Sequence, residues 1–136
     1  MPSMRPDPLK SACAALAALA LAAACALHAG TAGAQSVRLL VQSSPLAGFT
    51  YHAAPAVFVT LRTGDELALL READNPHDAN AVSVYWRGHK LGYVPRTQNA
   101  TLAWAMDRGE SVVARVSRLQ VHRNPRERVE FEVFLQ

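Results

Sequence analysis

From Val37 onward, short apolar runs alternate with clusters of Gly, Pro, Asn, Asp and Ser. That is the pattern of many short strands separated by turns. Val37 to Val41 reads as a first strand, broken at Ser43-Ser44-Pro45. Leu46 to His52 reads as a loop carrying two aromatic rings and a histidine. Ala56 to Leu61 is β-rich, Thr63-Gly64-Asp65 is a turn, and Glu66 to Arg71 is the next strand. Ala81 to Trp86 alternates cleanly, with Val82, Val84 and Trp86 on one face and Ser83 and Tyr85 on the other. Arg87-Gly88-His89 turns the chain back into Lys90 to Val94. One helix is predicted after Pro95, capped by Thr97 or Asn99, with an apolar stripe through Leu102, Ala103, Trp104, Ala105 and Met106 and a stop at Gly109. Two long strands follow, Ser111 to Val121 and Arg128 to Leu135, joined by a turn at Arg123-Asn124-Pro125-Arg126. Trp86 and Trp104 both lie in apolar patterns and are expected in the core. The fold class predicted is mainly β: a small OB-like or SH3-like β-barrel of about six strands with one short α-helix.

The first 34 residues follow a different rule. Arg5 and Lys10 precede an uncharged run of small and apolar residues, Ser11 to Leu27, and Ala32-Gly33-Ala34 supplies small residues on either side of a spacer. This order predicts a secretory signal peptide over residues 1–34, cleaved before Gln35. Residues 35–136 then form the barrel domain, and the protein is exported to the periplasm or secreted, with no stable membrane span after processing. Two alternatives share the segment: an uncleaved membrane anchor, or a lipid on Cys25 after Ala22-Ala23-Ala24. Cys13 and Cys25 both lie inside it, so the processed domain has no disulfide and no thiolate site.

Charge narrows the partners. The chain carries 14 Lys+Arg against 11 Asp+Glu. Without Arg5, Lys10 and Asp7 the balance is 12 against 10, a net +2. Binding to a polyanion must therefore come from local clusters. The densest is Arg115, Arg118, Arg123, Arg126 and Arg128, of which the last three gather at a hairpin tip, as a phosphate-binding rim or a solvated edge. His52, His77, His89 and His122 show no ligand spacing, so no metal site or cofactor is predicted. No nucleophile–base set is legible, which argues against an enzyme.

Several segments, in order, resemble the HIRAN domain, a small β module of DNA-repair remodelling enzymes. They are Gly48-Phe49-Thr50-Tyr51, Arg71 followed by Asn75-Pro76-His77-Asp78, Asn80-Ala81-Val82, and Leu91-Gly92-Tyr93-Val94-Pro95-Arg96. The match is best over residues 46–118. The resemblance implies a non-catalytic nucleic-acid-binding module for single-stranded DNA or DNA 3′ ends. Hydrolase activity in the family goes with fused helicase domains. Carried over position by position, the implied binding residues are Tyr51 and His52 in the first loop, Asn75 and Asp78 in the Asn-Pro loop, Tyr93 after the glycine, and Arg96. The aromatic rings would stack on unpaired bases, Asn75 and Asp78 would accept hydrogen bonds from a sugar hydroxyl or base edge, and Arg96 would pair with a phosphate. Thr50 and His52 depart from the family pattern, where a basic and an aromatic residue are common. The alternative function is a repurposed barrel that binds a protein or glycan partner in the periplasm. For the loop residues themselves, the competing role is to hold a tight turn.

Overall fold

Strict alternation makes the clearest strand: in Val129–Leu135, Val129, Phe131 and Val133 are buried while Glu130 and Glu132 lie outward. The computed structural model describes Gly33 and residues 36–136; the predicted leader, residues 1–34, otherwise falls outside the described residues. Six strands form one sheet: β1 (Leu39–Pro45), β2 (Glu66–Arg71), β3 (Val82–Trp86), β4 (His89–Tyr93), β5 (Val112–Leu119) and β6 (Val129–Leu135). Their order is β1-β6-β5-β2-β3-β4, and every pairing is antiparallel. The expected mainly β barrel is therefore present. Its core is filled by Leu46, Leu61, Leu91, Val82, Val84, Val94, Val116, Phe131 and Val133, all essentially inaccessible.

The sheet closes through one short contact. Just past β1, Ala47 bridges to Tyr93 at the end of β4. The Ala47 N–H donates to the Tyr93 carbonyl and the Tyr93 N–H to the Ala47 carbonyl, both at 2.9 Å. β4 reaches this position through a bulge: Gly92 faces Val84 and Lys90 faces Tyr85, which leaves Leu91 as the extra residue. Gly92 is required here by space. A Cβ on it would lie 2.1 Å from the Ala47 carbonyl oxygen.

Between β1 and β2 run a 3-10 turn (Phe49–Tyr51) and a single helical turn, α1 (Ala54–Val57). The expected β-rich segment at 56–61 is corrected to this helical turn and the turns after it. Pro55 sits in its first turn, where its missing N–H costs nothing, and Ala53 O accepts from Ala56 and Val57. Phe58 then packs edge-on against Phe49, with ring centroids 5.7 Å apart. β1 also runs further than expected, through Ser43 to Pro45, because it lies at an end of the strand order, where proline is tolerated.

The predicted helix is α2 (Ala100–Asp107). Leu102, Ala103 and Ala105 are buried and Met106 is partly so. At about 100° per residue, Trp104 lies opposite the middle of that arc. It is 62% exposed, which corrects its expected place in the core; Trp86, at 6%, is buried as expected. Arg71 ties α2 to the sheet. It donates to both carboxylate oxygens of Asp107 (3.1 and 3.3 Å) and to the Ala81 carbonyl (3.2 Å).

Candidate functional site

Ala47 and Tyr93, joined by this bridge, both line a cleft of about 280 Å³. Asn75, His77 and Asp78 of the β2–β3 loop line it too, together with Val94 and Arg96 after β4 and with Gly48 and Ala81. Four of the six predicted residues, Asn75, Asp78, Tyr93 and Arg96, therefore meet in one place. Tyr51 and His52 do not line this cleft. Tyr51 is 86% exposed on the neighbouring 3-10 turn, beside a smaller depression of about 210 Å³ that shares Gly48. His52 packs against Tyr93, edge to ring, with centroids 5.5 Å apart.

Hydrogen-bond accounting shows what the Asn-Pro loop has left to offer. The Asn75 side-chain oxygen accepts from the His77 N–H (2.9 Å), a turn that fixes the loop. Asp78 accepts from the Asn80 N–H through one oxygen (3.0 Å) and from the Asn99 side-chain amide through the other (2.7 Å). Both residues thus hold the fold. Among the described residues the Asn75 amide N–H groups have no acceptor and are free to donate, which reverses its expected role as an acceptor, whereas Asp78 keeps spare lone pairs on its carboxylate. Asn99 was read as a helix cap. It stands at the cap position of α2 but makes no cap bond; its amide is spent on Asp78, and the residue is only 2% exposed. Nothing in the local sequence distinguishes this cross-loop partner from an ordinary cap.

The wall ring is held from behind. The Tyr93 hydroxyl lies 2.6 Å from Lys90 Nζ, which donates to it, and in turn donates to Glu72 at 3.3 Å. Lys90 also bonds Glu72 at 3.3 Å. Burial pushes the Glu72 carboxyl up, but the nearby Ser83 hydroxyl, the hydrogen bonds from Lys90 and Tyr93 and the Lys90 charge outweigh it and leave the carboxyl below its ordinary range. For Lys90, burial is outweighed by Tyr93 and Glu72, and its ammonium is held above its usual value. His52 is moved down, by burial first and by the Lys90 charge second, against an opposing pull from Glu72. Tyr93 is therefore a fixed ring with its hydroxyl satisfied, backed by a histidine that favours the neutral form. Sequence reading found Tyr93 and His52 but not Lys90 and Glu72: Lys90 shares β4 with Tyr93, but its role depends on Glu72, which lies just past β2, 18 residues away.

Arg96 lies 3.8 Å from Asp78, and its side chain is 75% exposed, so the pair is loose enough for another anion to compete. A third depression, about 460 Å³, continues from Arg96 past Pro95 and Gly48 to Arg126. A further hollow of about 480 Å³ between β1 and α2 contains none of the predicted site residues.

Comparison with known proteins agrees with this architecture. A crystal structure of a protein from Lactobacillus plantarum superposes with a TM-score of 0.64 at 30% identity, covering 73% of this chain and 95% of that one. The crystal structure of the HIRAN domain of human HLTF superposes with a TM-score of 0.52 at 20% identity, covering 74% of this chain and 79% of that one, a likeness of fold. No curated protein matches the sequence. The family model of the HIRAN domain matches residues 39–136, from the start of β1 through β6, and the chain belongs to the HIRAN domain family.

Proposed function

We propose that this domain is a non-catalytic nucleic-acid-binding module that takes unpaired strands, with preference for a DNA 3′ end. The supporting observation is the cleft at the barrel seam: a fixed aromatic wall, free amide donors on Asn75, a carboxylate on Asp78 and an exposed guanidinium on Arg96, with Tyr51 next to it. A pocket of about 280 Å³ suits one nucleotide better than a base pair. The Asp78 carboxylate favours a terminal hydroxyl, which donates, over a terminal phosphate, which it repels. The open Tyr51 ring offers a stacking surface worth about 1–3 kcal/mol per base.

The test is fluorescence anisotropy with labelled oligonucleotides at low salt. Salt-sensitive binding is expected, with single strands above blunt duplex and a 3′ hydroxyl above a 3′ phosphate. Tyr51→Ala is expected to weaken binding by about 1–3 kcal/mol. Failure of every single- or double-stranded DNA or RNA to bind overturns the reading. We also propose export, on the charge and apolar pattern of residues 1–34; a mature N-terminus at Gln35 by mass spectrometry supports it. Nucleic acid is scarce outside the cytoplasm, so that pattern is also what favours the second reading, a protein or glycan ligand, which salt-insensitive capture of a defined envelope partner would support.

A further inference from the structure

The cleft does not end at Arg96. Three depressions share Gly48: the seam cleft, the hollow between Arg96 and Arg126, and the shallow site beside Tyr51. Arg126 lines the second and third. It belongs to the 3-10 turn Pro125–Glu127 in the β5–β6 connection, which packs against the turn carrying Tyr51. This connection is ordered from within. The Asn124 side chain accepts from the Arg126 N–H (3.1 Å), Pro125 fixes the first position, and Arg128 N–H donates to the Pro125 carbonyl (3.3 Å). Arg128 spans the two turns, its guanidinium 5.2 Å from the Phe49 ring centre while it donates to the His122 carbonyl.

Neighbouring arginines are already spent. Arg118 pairs with Glu130, and Arg115 donates to the Gly64 carbonyl (3.3 Å) and lines none of the three depressions. Among the described residues the Arg126 guanidinium has no carboxylate partner and no hydrogen-bond acceptor. Arg123 has none either, but it lines none of the three depressions. We infer that Arg126 binds the phosphate that joins two consecutive nucleotides, one seated beside Tyr93 and the next on Tyr51. This rests on the nucleic-acid reading above and extends it: the ligand is a strand of at least two nucleotides, crossing from the seam to the β5–β6 connection.

The experiment compares the full chain with Arg126→Ala, Arg126→Lys and Arg123→Ala, probed with thymidine, which has no phosphate, and with oligothymidylates from the dinucleotide upward. Thermal melting should be the same for all four. Arg126→Ala should leave thymidine binding unchanged and weaken the dinucleotide and longer strands. It should also reduce the slope of log affinity against log salt by about 0.7, so that a roughly fourfold rise in salt weakens the variant about 2.6-fold less than the parent. Arg126→Lys should restore that slope, and Arg123→Ala should leave it unaltered. Equal slope changes in Arg126→Ala and Arg123→Ala mean diffuse charge and overturn the inference. So does an unchanged Arg126→Ala in a protein that loses binding with Tyr51→Ala, while the nucleic-acid reading survives. If the parent chain binds no oligonucleotide, both fall.

Discussion

Replacing Gly92 with alanine is the most direct test of how the barrel holds its site. The added Cβ would lie 2.1 Å from the Ala47 carbonyl oxygen and 3.2 Å from Leu46 Cδ1, and the nearer neighbour is backbone, which cannot swing aside. Reaching even a 3.0 Å contact requires the two segments to part by about 0.9 Å, the difference between the two distances. Added to the two 2.9 Å hydrogen bonds of the bridge, that opens them to about 3.8 Å, beyond hydrogen-bond reach. Two backbone bonds at about 1 kcal/mol each, with part of the desolvation cost of the groups left behind, put the loss at roughly 2–4 kcal/mol. That is a large fraction of the stability of a small domain. Urea unfolding followed by Trp fluorescence would measure it. Gly64→Ala serves as the control: its φ is +90°, but nothing lies within 4 Å of the added carbon. It should show only the left-handed backbone cost of about 1–2 kcal/mol. A Gly92→Ala variant no less stable than Gly64→Ala, or within about 0.5 kcal/mol of the parent, would refute the close-approach reasoning.

The two tryptophans should separate sharply: Trp86→Ala is expected to cost about 3–5 kcal/mol from loss of a buried ring, and Trp104→Ala to stay within about 0.5 kcal/mol, both by chemical denaturation. The cluster behind Tyr93 predicts a pH profile. The His52 pKa is lowered in the fold, so its protonation opposes folding and stability falls as pH drops through the ordinary histidine value. Glu72, also lowered, contributes stability above the ordinary carboxyl value and loses it as pH falls further. Lys90, raised, contributes below the ordinary lysine value and loses it as pH climbs through its folded value. Melting temperature should therefore decline on both sides of neutrality, with the first acid limb flattened in His52→Gln; superimposable profiles would remove His52 from the account.

Period-two patterning and Gly-Pro punctuation were enough to locate β2 through β6, because each of those strands has at least one buried face. Ala56 to Leu61 misled for the opposite reason. β-branched residues there suggest a strand, but Pro55 and the Ala53 carbonyl favour a helical turn. Trp104 is apolar yet sits on the solvent side of α2, an angle around the helix that hydrophobicity alone does not register. At the site, Asn75, Asp78, Tyr93 and Arg96 were legible because they lie in two short segments of strong resemblance. Lys90, Glu72 and Asn99 were not, since each acts through a partner on another element. Arg126 was visible only as one charge among several until the two 3-10 turns brought it beside Tyr51.

Closing a barrel with two hydrogen bonds puts the proposed ligand site on the thinnest part of the wall. Any strand seated over Ala47 and Tyr93 favours the shut form of that wall, so occupancy and resistance to unfolding must rise together. The same linkage runs backward: a chain whose amides at 47 and 93 exchange with solvent more quickly than those between β5 and β6 is one that breathes at the proposed site.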